Sequence, residues 1–294
     1  MPTIVALLLL VALGAAELDV RRYGPPDALL HVAVVCGMHP REAFARDLCV
    51  RWAAAWTQDP PARLRITLVP DANPDGTQRW RGNASMACWR GNGRGVDLNR
   101  NWPVPPACAA VPPSDDQRVV EPAWSAGAAP FSEWETRALA ELLVADPPDV
   151  LLAMHSGTRA LLTPYDACAA SPANLPRAMQ LARWLRAGVC DDCTVGVSSR
   201  HLYRSRGTLT DWAHGVLGVP FVYTWEVWEP PADAAVDCAT AFSPPIDTMA
   251  YHMELRRWDT VAARIADMDG DTWTTLLRWT GVLMDAATTE MNLP

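Results

Sequence analysis

The apolar positions along this chain change period in a repeating way. Residues 29–35 are apolar except for His31, a run with the length and content of a buried strand. Apolar side chains then recur at helical spacing through 42–56. Residues 64–69 alternate and stop at Pro70, which predicts a second strand. A stretch rich in Gly, Pro and Asn fills 71–130. Connections of that length inside a compact domain usually carry function. Leu139, Leu142 and Leu143 restore the helical period, and Ser132 with Glu135 reads as a capping box starting that helix. Asp146-Pro147-Pro148-Asp149 ends it, and the apolar run 150–154 follows at once as a strand. The pattern further predicts a short strand at 160–162, a helix over 175–187 stopped by Gly188, and a short helix over 209–216. A β-branched and aromatic strand over 219–225 ends at Glu226, and helical spacing resumes in two segments over 246–290. Strands alternating with helices predict an α/β fold: a mixed, mostly parallel twisted sheet with helices on both faces. In such sheets ligands bind at the carboxyl ends of the strands.

Composition narrows the setting. A chain of 294 residues with 50% hydrophobic content is long enough for one large core, so a single domain over 17–294 is expected. Residues 4–13 form a short apolar run followed by Gly14, Ala15 and Ala16, which predicts a signal peptide over 1–16 cleaved before Glu17. The run is too short to span a bilayer, and no other stretch is long and apolar enough. A net charge of −8 argues against a nucleic-acid partner. Every basic residue is an arginine, so a lone arginine carries little information. Eight cysteines, an even number, fit disulfides in a secreted or lumenal protein. Cys88 and Cys108 flank the arginine-rich loop and are the expected pair. Cys190-Asp191-Asp192-Cys193 could be a redox pair, but no strand is evident upstream and the structural reading is preferred. Asn83-Ala84-Ser85 is a glycosylation sequon in a polar loop.

The candidate chemistry starts at Gly37-Met38-His39-Pro40-Arg41-Glu42, between the first strand and the first helix. His39 and Glu42 can bring one nitrogen and one carboxylate together at a strand end. That pair alone is a weak pattern. His155, next after the run 150–154, offers a third ligand. Nitrogen, oxygen and nitrogen donors at one sheet edge suit a catalytic zinc with one position left open. Further motifs follow in order: Asn73-Pro74-Asp75-Gly76, read as a turn after the second strand; Trp89-Arg90-Gly91-Asn92; Gly95-Val96-Asp97-Leu98-Asn99-Arg100-Asn101-Trp102; His155-Ser156; His201-Leu202-Tyr203; Gly207 to Trp212; and Thr224-Trp225-Glu226.

These blocks, in this order over about 28–230, resemble the zinc metallocarboxypeptidases of the carboxypeptidase A/B type, and most closely a small secreted branch without an activation prosegment. The resemblance implies one zinc per chain held by His39, Glu42 and His155, with Asp97 accepting from the His39 ring and fixing its tautomer. It implies Glu226 as the general base and Arg90 as the oxyanion stabiliser. Asn99, Arg100 and Tyr203 would grip the free C-terminal carboxylate of a peptide or protein, and Arg41 matches a subsite arginine. Arg81 sits in a second Trp-Arg-Gly-Asn copy, but the unbroken run from Arg90 into the following block favours Arg90. Thr210 stands where enzymes preferring basic termini carry an aspartate. A neutral residue there points to apolar or small termini, with Asp211 and Arg159 nearby leaving the point open. His31, His201, His214 and His252 read as structural or exposed, and Trp258, Trp273 and Trp279 as core packing. The resemblance implies a monomer acting as a peptidase. Two other readings are a catalytically inactive peptide-binding relative and a zinc amidase on cell-wall-type peptides.

Overall fold

Alternate side chains of the central strands enter two separate cores, and this sets the architecture. The computed structural model describes residues 17–110, 124–190, 192–230 and 237–242. The expected signal peptide and the helical spacing over 246–290, with His252 and the three tryptophans there, lie outside these residues. In chain order the elements are β1 (Arg21–Tyr23), β2 (Leu30–Val35), α1 (Ala43–Gln58), β3 (Leu64–Val69) and α2 (Pro74–Trp80). Then come α3 (Pro106–Ala109), α4 (Trp134–Ala145), β4 (Val150–His155), β5 (Arg159–Thr163), α5 (Leu175–Val189) and β6 (Thr194–Val197). The remainder is α6 (Ser198–His201), α7 (Leu209–Gly215), β7 (Phe221–Val227) and α8 (Cys238–Phe242).

The seven strands form one sheet in the order β1-β3-β2-β4-β7-β5-β6. Strands β3, β2, β4 and β7 are mutually parallel, β5 and β6 are parallel to each other, and β1 and β5 run against β3 and β7. Val32, Val34, Leu152, Met154, Tyr223 and Trp225 face α1 and α5, where Phe44, Trp52, Leu181 and Leu185 cover them. Ala33, Val35, Leu151, Ala153 and Val222 face the other way, against Leu139 and Leu143 of α4 and Leu209 and Trp212 of α7. Strands buried on both sides read as continuous apolar runs, which is why β2 and β4 stand out in the sequence. The α/β class, the mixed and mostly parallel sheet, and the helices on both faces are as expected.

The differences are local. The edge strands β1 and β6 are too short to produce a periodic signal. Asn73-Pro74-Asp75-Gly76 opens α2 instead of closing a turn: Asn73 caps the helix, its Oδ1 accepting from Gly76 N at 2.9 Å, and Pro74 fills the first turn. The capping box at Ser132 does not form, and α4 begins at Trp134 with no side-chain cap from its own N-cap residue Glu133. A distant loop residue takes over. Asn101 Oδ1 accepts from Glu133 N at 3.2 Å and from Thr136 Oγ1 at 2.8 Å, while its Nδ2 donates to Ser132 Oγ at 2.9 Å.

The cysteines also pair differently. Cys36 joins Cys49, Cys88 joins Cys238, Cys108 joins Cys168, and Cys190 joins Cys193. The expected Cys88–Cys108 bridge is therefore incorrect. Cys108 is drawn into a small core with Tyr165, Ala167 and Cys168, which brings it to Cys168. The disulfide within 190–193 agrees with the structural reading of that motif. Peptide mapping without reduction should recover the fragment bearing Cys88 linked to the one bearing Cys238. Replacing both by serine should lower unfolding stability by about 2–5 kcal/mol in denaturant titrations. A Cys88–Cys108 fragment would contradict this pairing.

Candidate metal centre and substrate cavity

The two histidines and the glutamate meet because two adjacent parallel strands end at the same edge. The chain leaves β2 through Gly37, whose φ of +70° is open to glycine and strained for other residues. A Cβ at Gly37 would also lie 2.9 Å from Asp71 Cα. This turn carries His39 and delivers Glu42 to the start of α1, where Glu42 N donates to His39 O at 3.0 Å. His155 is the last residue of β4, and the strand register sets it directly beside Glu226 of β7. His39 Nδ1 lies 2.7 Å from Glu42 Oε1 and His155 Nδ1 lies 2.8 Å from Glu42 Oε2. One donor atom from each residue falls within 4.8 Å of the others, so the three can hold a metal ion. Cys190, Asp192 and Cys193 are also close together, but these cysteines are spent in a disulfide and offer no thiolate.

A buried charge network stands behind the triad. His39 Nε2 lies 3.0 Å from Asp97 Oδ1, leaving Nδ1 on the side of Glu42. Asp97 Oδ2 accepts from Arg90 Nε at 2.7 Å, and Arg90 Nη1 reaches Glu42 Oε1 at 3.4 Å. Burial opposes both carboxylates, yet the histidines beside Glu42, and Arg90 with His39 beside Asp97, hold the two acids well below their usual range. Burial also opposes the Arg90 cation, but Asp97 and Glu42 raise it above the usual guanidinium range. Glu226 behaves in the opposite way. Burial, and then the neighbouring Glu42 charge, push it up to about 7, with His155 and Arg90 partly offsetting them. Its Oε2 is sealed from solvent and has no hydrogen-bond partner among the described residues. Such an atom is costly unless something is meant to meet it.

His39, Glu42, His155, Glu226 and Arg90 line one cavity, and Asn99, Arg100 and Tyr203 line it too. Arg100 Nη2 donates to Tyr203 Oη at 3.3 Å, and its Nη1 to Asn99 O at 2.7 Å. Asn99 Oδ1 accepts from Leu209 N at 3.0 Å, which leaves the amide NH2 as its donor face. Of the two candidate arginines, Arg90 is in the cavity and Arg81 is exposed at the end of α2. Arg41 and Thr210 are not among the lining residues. The Arg41 guanidinium lies 4.4 Å from the centre of the Phe242 ring, and the Thr210 hydroxyl donates to Asp166. His31 and His214 are held by Thr67 and by Val219 O inside the protein, and His201 is exposed.

The sequence pattern missed Asp166, Ser198 and Ser205, which line the same cavity, whereas Thr208 falls within the Gly207 to Trp212 block. Carboxyl ends of parallel strands mark one edge of the sheet. Asp166 follows β5, which runs antiparallel to β7, so that rule does not reach it. Its signal is an acid three residues past a strand end, too common a pattern to select.

With the geometry in view, the comparisons are specific. The profile of the zinc carboxypeptidase family matches residues 28–254. This chain belongs to that family. Human carboxypeptidase O is 32% identical over 216 residues, covering 65% of this chain and 55% of that protein. Bovine thrombin-activatable fibrinolysis inhibitor shares the fold with a TM-score of 0.64 at 19% identity, covering 85% of this chain and 86% of that one. Carboxypeptidase A from Helicoverpa armigera gives 0.62 at 21% identity, over 82% and 62% of the two chains. The chain spans about half the length of the curated relatives it matches. If the three donors act together, His155→Ala should abolish stoichiometric binding of a divalent metal by the folded protein. Metal analysis after gel filtration checks this, and full retention of metal would contradict the ligand set.

Proposed function

We propose that this zinc carboxypeptidase family member is an active, zinc-dependent metallocarboxypeptidase that removes the C-terminal residue of peptides or proteins. The observation that carries the reading is one cavity containing a His-Glu-His donor set, a glutamate whose Oε2 is buried without a partner among the described residues, and an arginine with amide and phenol neighbours. The donor set suits a single zinc, with nitrogen, oxygen and nitrogen ligands and room for a fourth position. When bound, zinc supplies Lewis-acid polarisation of a carbonyl and acidifies water.

The chain's own residues supply the rest. Glu226 Oε2 accepts a proton from the attacking water and passes it to the leaving amine. A cation held by His39, Glu42 and His155 would draw the Glu226 carboxyl down from its raised value and favour its ionised form as the base. Arg90, fixed by Asp97, presents a permanent positive charge where negative charge grows on the scissile carbonyl oxygen. Asp97 holds the His39 ring with Nδ1 toward the metal. Arg100 offers a guanidinium fork to the terminal carboxylate, and Asn99 and Tyr203 add single donors. A substrate therefore binds by its end, and only the last peptide bond reaches Glu226. Four disulfides among the described residues suit an oxidising compartment, and we place the protein in the secretory lumen or outside the cell, as a monomer. An inactive peptide-binding relative would have no use for an ionisable carboxyl at Glu226.

Glu226→Gln keeps the shape of the side chain and removes the base. It should lower kcat by roughly 10²–10⁴ while metal content and fold are retained. A folded, metal-loaded variant with near-parent kcat would take Glu226 out of the mechanism. Amidating the C-terminus of a substrate peptide removes the charge that Arg100 meets and should lower kcat/KM by roughly 10–150-fold. Equal cleavage of free and amidated peptides would point to an endopeptidase or an amidase.

A further inference from the structure

The cavity contains one acid that neither binds metal nor serves as the base. Asp166 is buried, and β5 places it away from Glu226: Ala160 pairs with Glu226, Leu162 pairs with Thr224, and the chain continues in that direction to Asp166. Every polar contact fixes it. Asp166 N donates to Asp211 Oδ1 at 2.7 Å, and Asp166 O accepts from Ser205 N at 3.0 Å. Its Oδ2 accepts from Thr208 Oγ1 at 2.7 Å and from Thr210 Oγ1 at 2.5 Å. Two hydroxyl donors on one oxygen fix the orientation of the carboxyl group in the cavity wall. Asp211 lies behind, and burial, then the charge of Asp166, push it well above the usual carboxylate range. Of the two acids, Asp166 lines the cavity and Asp211 does not.

Among the described residues no arginine or histidine is paired with Asp166. Arg159 is paired with Asp192 and does not line the cavity. The surroundings are also wrong for an apolar guest. Ser198, Ser205 and Thr208 line the cavity with Asp166, and Leu202 is the one aliphatic side chain among the described lining residues. Pockets for apolar side chains are lined mainly by apolar ones. Thr210 is neutral, but its hydroxyl is spent on orienting Asp166, so its neutrality says little about the substrate.

We propose that Asp166 makes this cavity select a cationic C-terminal residue, arginine or lysine, with the α-carboxylate on Asn99, Arg100 and Tyr203 and the side-chain cation on Asp166. This deepens the carboxypeptidase reading and rests on it. A residue with an anion at one end and a cation at the other matches a cavity with Arg100 and Asp166. A cationic side chain completes the coordination of a carboxylate that otherwise has only hydroxyl partners.

Two measurements on the zinc-loaded full chain test the proposal. In a panel of peptides differing only in the last residue, kcat/KM for terminal Arg or Lys should exceed that for Phe, Leu or Glu by roughly 10–150-fold. Asp166→Asn should collapse that ratio. A preference for Phe or Leu, or an unchanged ratio in the folded variant, overturns it. The unsubstituted chain alone decides the first comparison, so a folding defect in the variant does not blunt it. Calorimetric titration with free L-arginine and free L-phenylalanine reads the cavity without catalysis. Tighter arginine supports the proposal, and equal or tighter phenylalanine overturns it. Arginine-selective binding by a protein that cleaves no peptide would keep the assignment of Asp166 and remove the proposed activity instead.

Discussion

Four buried charged or chargeable groups at the sheet edge constrain everything around them. Glu42, Asp97, Arg90 and His39 are all within a few per cent of complete burial, and each is tolerable only because the others are present. Asp97 reaches this place from the Gly-Val-Asp block, Arg90 from the loop before it, and Glu42 and His39 from the turn after β2. The long, irregular region between β3 and α4 is therefore shaped by charge pairing as much as by apolar burial. Asn92 and Asn101 extend the same logic, tying that region to α4 through Glu133 and Thr136. The fold holds the triad rigidly because the triad's neighbours also hold the fold.

What could be read from the sequence follows the periodicity of the elements. β2 and β4 are apolar on both faces and reveal their ends, so His39 and His155 could be placed at one edge without coordinates. Glu226 was placed for the same reason, although β7 continues one residue past it. The fine geometry was less accessible. Asn-Pro-Asp-Gly serves a turn and a helix start equally well, and only the hydrogen bond from Gly76 to Asn73 distinguishes them. Ser132 lost its capping role to a residue that becomes adjacent only in the folded chain. Disulfide pairing depends on which loops meet, and neither Cys88 nor Cys108 shows its partner in the local pattern.

The antiparallel strand β5 gives the cavity its second chemical character. A fully parallel sheet would collect functional side chains along one edge. By reversing direction beside β7, the chain carries Asp166 past Thr224 and lets α7 support it from behind through Thr208, Thr210 and Asp211. The edge of the sheet thus supplies the His-Glu-His donor set, and the reversed strand leads to Asp166 on the wall of the same cavity. Gly207 joins the two parts: at φ +72° it packs so closely on the Arg100 carbonyl that a Cβ would fall 2.3 Å from that oxygen.

The disulfide between Cys88 and Cys238 also has a consequence in time. Its cysteines are 150 residues apart, whereas Cys36 and Cys49 are separated by 13. At ~5–20 residues per second of synthesis, about 8–30 s pass between the appearance of Cys88 and that of its partner. During that interval Cys36–Cys49, Cys108–Cys168 and Cys190–Cys193 can all close, while Cys88 remains a thiol within reach of each of them. The bond that anchors the arginine-bearing loop is the last that can form. A nascent chain in an oxidising lumen must therefore keep Cys88 from wrong partners, by early burial or by enzymatic reshuffling, until residue 238 arrives.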